Sequence, residues 1–110
     1  MLRVVIACAI LCAGCAGSSA AQDAAAEGAK VYAAQKCAIC HSVEGKGNPK
    51  GPLDGVASRL SADEIRAWIT DAKGMTTKMK TERKPVMRAY TLPENEVDAL
   101  VAYLSRMKKK

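Results

Sequence analysis

Cys37, Cys40 and His41 stand within five residues of one another, in the order Cys37-Ala38-Ile39-Cys40-His41. In a helical turn these positions are i, i+3 and i+4, so their side chains share one face. Two thiols at this spacing can form thioethers with the two vinyl groups on one edge of a porphyrin. The adjacent imidazole then stands under the ring and binds the iron. One covalent haem with its iron is therefore the expected cofactor. Cys37 and Cys40 are its attachment points and His41 is the first axial ligand.

Two other uses of the same residues compete with this one. A zinc site needs four ligands, and His41 is the only histidine. Of the five cysteines, three (Cys8, Cys12 and Cys15) fall in the N-terminal leader. A carboxylate would have to complete the set, which is uncommon for structural zinc. A thioredoxin-like redox pair needs a strand-rich setting, whereas the flanks here read as helix.

A second axial ligand must come from elsewhere. Between residues 73 and 90 the chain offers Met75, Met79 and Met87. A thioether is a weak acceptor and binds best in a dry, pre-positioned setting. Met79 lies between Lys78 and Lys80, whereas Met87 follows the apolar Pro85-Val86. Met87 is the expected ligand, with Met79 in reserve.

The elements that must position these groups read as helices. Residues 24–36 are alanine-rich, with Asp23 as the N-cap and Gly28 tolerated where another helix comes close, next to Tyr32. Residues 42–60 hold enough glycine and proline to form a folded loop. Its Gly51-Pro52-Leu53 is either an ordinary turn or the place where the Pro52 carbonyl accepts the His41 Nδ1 proton. Ser61 and Glu64 form a capping box, followed by Ile65, Trp68, Ile69 and Ala72 at helical spacing. Gly74 is expected to end that helix, leaving 73–90 as a basic loop. A last helix starts at Pro93-Glu94 with Val97, Leu100, Val101 and Leu104 on its apolar stripe.

The first 21 residues read as an export leader: Arg3, a short apolar run, then small residues suited to cleavage after Ala20 or Ala21. The run is too short to span a membrane. Leu11-Cys12-Ala13-Gly14-Cys15 also resembles a lipoprotein box, which would make Cys15 a lipid anchor. Residues 22–110 form one domain. It has no phenylalanine, one tryptophan and three tyrosines, so a large apolar ligand would help complete its core. The net charge is +6. The basic residues do not alternate with stacking aromatics, which argues against nucleic acid, and attraction to an acidic protein fits better.

Together, Gly28-xxx-Tyr32, Cys37–His41, Gly51-Pro52-Leu53, Pro85-Val86-Met87 and the Leu92–Leu104 pattern resemble the small bacterial class I cytochromes c. The resemblance covers nearly all of residues 24–107. It implies an all-α fold whose first and last helices cross at Gly28, Tyr32 and Tyr103 around one covalent haem c. It also implies His/Met ligation, and Pro52 as the residue whose carbonyl accepts the hydrogen bond from His41. Pro52, Trp68 and Tyr90 are the further haem-pocket residues expected. One departure is that Arg88, not proline, follows Met87.

The expected role is a periplasmic, monomeric single-electron carrier, soluble or tethered. With both axial positions filled no bond chemistry is expected, so the chain is read as no enzyme. Lysines 46, 50, 73, 78, 80 and 84 either frame the haem edge for an acidic oxidase, reductase or dehydrogenase subunit, or form a solvated face. The alternative function is an open-site haem protein, a peroxidase or small-gas binder, in which no methionine binds the iron.

Overall fold

The computed structural model describes residues 19–109, so most of the expected leader, Cys15 included, lies outside the described residues. Four α-helices dominate: α1 (Ser19–Ala34), α2 (Ala62–Thr70), α3 (Ala72–Met79) and α4 (Glu94–Ser105). A small antiparallel pair joins β1 (Ser42–Val43) with β2 (Lys46–Gly47).

Helix α1 packs across α4, and the contact depends on a missing side chain. Gly28 is buried, and a Cβ there would collide with the Ala99 carbonyl and the Tyr103 Cβ on α4. One turn later Tyr32 meets Tyr103 edge to face, with ring centroids 5.7 Å apart. The expected crossing at Gly28, Tyr32 and Tyr103 is therefore present. Asp23 does not cap α1. The helix already includes Ser19, which puts Asp23 inside it.

The core is a single apolar cluster. Val97, Leu100, Val101 and Leu104 of α4 bury against Ile65 and Ile69 of α2, Tyr32 of α1 and Val56. Helix α2 opens with the expected capping box: Ser61 accepts from the Glu64 amide, and Glu64 reaches back to the Ser61 amide. Arg66 of α2 and Asp98 of α4 form an exposed ion pair across the helices.

Gly74 does not end this segment. The break falls at Asp71 (φ −142°, ψ 55°), whose side chain then caps α3 by accepting from the Gly74 amide at 3.2 Å. A Cβ on Gly74 would strike that carboxylate, so the glycine serves the cap from inside the helix. Residues 73–79, expected as loop, are helical, and the chain without regular structure runs from Lys80 to Pro93.

Candidate functional site: a cavity around two thiols and one imidazole

Lys36 adopts a left-handed conformation (φ 56°) that turns the chain out of α1. A 3₁₀ turn follows at Cys37–Ile39. In such a turn residues i and i+3 eclipse, which brings the Cys37 and Cys40 side chains alongside each other. The Cys40 and His41 amides both bond to the Cys37 carbonyl, at 3.1 and 2.9 Å. The expected helical turn is thus 3₁₀ in its bond to Cys40 and α-like in its bond to His41, and all three residues line one cavity of about 700 Å³.

The walls of that cavity come from every part of the fold. Ile65, Trp68 and Ile69 of α2, Leu100 and Leu104 of α4, and Tyr32 supply an apolar lining. Pro52 and Tyr90 also lie on the wall. The Tyr90 amide is anchored to the Ile69 carbonyl at 2.8 Å, and the Arg88 guanidinium sits 4.9 Å above the Tyr90 ring.

The carbonyl that holds His41 belongs to Gly51, not Pro52. Its oxygen lies 3.0 Å from His41 Nδ1. The reason is the local pairing of chains. Ser42 donates to the Gly51 carbonyl at 3.1 Å and accepts from the Leu53 amide at 2.8 Å, forming a parallel bridge centred on Pro52. Such a bridge uses the groups of residues 51 and 53 and asks nothing of Pro52, which has no N–H. In extended chain successive carbonyls alternate in direction, so that of Pro52 points away from His41. A carbonyl can only accept, so Nδ1 must carry the proton, and Nε2 keeps its lone pair for a metal.

The electrostatics favour the same state. Burial pushes the His41 pKa below its ordinary value, the Gly51 bond opposes this, and the charge of Arg83 lowers it further. The imidazole is therefore held neutral, as ligation requires. Burial pushes the Cys37 thiol pKa up. Redox-active Cys-x-x-Cys pairs depend instead on a depressed thiol, so the thioredoxin-like use loses ground. Zinc loses ground too. Among the described residues no three His, Cys, Asp or Glu side chains converge as a metal site.

Of the three candidate methionines, Met87 and Met79 both lie on the cavity wall. Met87 is half-buried, whereas Met79, the last residue of α3, is 43 % exposed. Met75 is buried at 5 % exposure on α3 and does not line the cavity.

The charged residues of the lining are all cationic. Lys36, Lys50, Arg59, Arg83 and Arg88 line the cavity, and among the described residues no Asp or Glu does. Of the six lysines expected to frame it, only Lys50 lines it. Arg59 and Arg83 were not singled out from the sequence, where an isolated arginine looks like any solvated charge.

The donor set fits a covalently attached porphyrin. Two free cysteines, a neutral imidazole with Nε2 available and an apolar chamber open onto one space. Tyr32, which also lines this space, has a buried hydroxyl with no hydrogen-bond partner among the described residues. The family model described as Cytochrome c matches residues 25–108, a span that includes every cavity-lining residue. No curated protein and no solved structure matches the chain.

Proposed function

Because this chain belongs to the cytochrome c family, which binds haem c covalently, we propose that it is a single-electron carrier using His41 and Met87 as axial ligands. Bound haem supplies reversible one-electron exchange between ferric and ferrous iron. The observation that carries the reading is the convergence of both thiols, the Nδ1-bonded imidazole and a half-buried methionine on one cavity.

Each group then has a task. Cys37 and Cys40 fix the porphyrin edge. The Gly51 carbonyl holds the proton on His41 Nδ1 and so keeps Nε2 free. Ile65, Ile69, Leu100 and Leu104 exclude water. Ile39, between the two thiols, is 67 % exposed, so the turn that would hold the porphyrin is open to an approaching partner. The cationic rim suits an acidic redox partner. We place the carrier in the periplasm, after removal of residues 1–21 or lipidation of Cys15. Among the described residues no helix is long and apolar enough to cross a membrane.

The test is the spectrum of protein made in a host able to attach haem. A low-spin ferric haem with a methionine–iron charge-transfer band is expected. Met87→Ala should abolish that band and Met79→Ala should keep it; the reverse reassigns the ligand. A high-spin wild type that binds carbon monoxide or cyanide rapidly would establish the open-site alternative, which the exposure of Met79 and the irregular 80–93 segment favour.

A further inference from the structure

The segment carrying Met87 is held to the rest of the fold by very little. Among the described residues, the span 82–89 makes one hydrogen bond to a part of the chain distant in sequence. Arg83 donates it, through Nη2, to the Cys40 carbonyl, 43 residues away. Cys40 directly precedes His41.

The seat of this guanidinium is specific. A Cβ on Gly51 would collide with both Nη atoms of Arg83 and with the Cys40 carbonyl, so only glycine leaves room at that point. Gly51 is the residue whose carbonyl holds His41. One side chain thus joins three things: the methionine-bearing segment, the haem-attachment turn and the loop that orients the histidine. Arg83 also lines the cavity itself. It forms no ion pair; the pairs among the described residues are Lys30–Glu27 and Arg66–Asp98.

Resting on the reading of His41 and Met87 as ligands, we infer that Arg83 is a positioning residue: a clasp that holds the Met87 segment against the His41 loop and sets an uncompensated positive charge beside the site. The two effects act on different observables. A charge-assisted hydrogen bond across the two segments resists displacement of the methionine by an outside ligand. A nearby cation favours the state with one more electron, and so favours ferrous iron. Exposure to solvent screens the charge and keeps the second effect modest.

Arg83→Gln and Arg83→Lys in the haem-loaded protein separate them. The first measurement is the ferrous-to-ferric ratio at a fixed electrode potential. The second is the imidazole concentration that half-bleaches the methionine–iron band. Arg83→Gln is expected to lower the ratio about threefold and to make imidazole displace the methionine about tenfold more readily. Arg83→Lys keeps the charge but loses the fork, so its ratio should match wild type while imidazole displacement lies between the two. Wild-type behaviour of Arg83→Gln in either measurement overturns the inference. A wild type lacking the band overturns the Met87 reading, and the clasp with it, and is recognised before any variant is compared.

Discussion

His41 and Gly51 are ten residues apart in sequence and joined by a 3.0 Å hydrogen bond from Nδ1 to the carbonyl oxygen. That oxygen also accepts from the Ser42 amide, so the main chain around the imidazole is fixed by the same atom that fixes its tautomer. The ring cannot rotate away without breaking a bond to a buried residue, whose carbonyl would then lose part of its satisfaction.

Gly51→Ala tests how tightly this corner is built. The added methyl meets the Cys40 carbonyl and the Arg83 guanidinium, and the backbone atom cannot yield cheaply. Overpacking of this kind costs about 1–3 kcal/mol. The unfolding free energy of the holoprotein, read from urea titration, should fall by about that amount. An unchanged midpoint would mean that the loop relaxes and that His41 is not rigidly held.

Gly28→Ala sets two effects against each other at the helix crossing. Alanine is the better helix former by about 1 kcal/mol. Its Cβ, however, would strike the Ala99 backbone and the root of Tyr103, which forces α1 and α4 apart along their whole contact. The clash should win, with a net loss of about 1–2 kcal/mol by chemical denaturation. A variant as stable as wild type would show that the crossing has slack.

How far the sequence discloses this fold depends on the range over which each choice is made. The Cys37–His41 spacing, the Ser61–Glu64 box and the stripe on α4 are local patterns, and each appears where periodicity and capping place it. Gly74 misleads because a glycine near a helix end usually follows the helix. Here it is needed within the first turn of α3, under the Asp71 carboxylate. The Gly51-Pro52 pair pointed to the right corner but the wrong carbonyl, since carbonyl direction depends on the bridge to Ser42. Arg83 was illegible: its acceptor lies 43 residues away, and nothing local separates it from the solvated cations around it.

Tyr32 gives the stability a distinct alkaline limb. Burial, then the charges of Cys37, Tyr103 and Asp54, push its pKa from 10.0 up to about 12. The folded state thus keeps this proton after the unfolded state has lost it. The associated stability is whole below pH 10 and is lost as pH rises from about 10 to about 12. Tyr32→Phe removes the titrating group and a buried hydroxyl without a partner among the described residues. At neutral pH the variant should match wild type or exceed it by about 1 kcal/mol. Between pH 10 and 11 it should lose less stability than wild type, by up to about 1.4 kcal/mol. Urea midpoints across that range check this; parallel alkaline slopes would contradict it.

The cationic rim should show itself in the salt dependence of electron transfer. Lys36, Lys50, Arg59, Arg83 and Arg88 line the cavity with no acidic residue among them, so an acidic partner, as proposed, would be drawn to the face that carries the exposed Ile39. Steering of this kind weakens as the screening length shrinks from about 30 Å at 0.01 M salt to about 8 Å at 0.15 M. The second-order rate constant with an acidic redox protein should therefore fall by about tenfold or more over that range. Lys50→Glu should lower the rate at low salt and flatten its salt dependence. Lys73→Glu, of equal charge change but on a residue off the cavity wall, should do less. The opposite ranking, or a rate indifferent to salt, would place docking on another face and leave the rim cations as solvated charge.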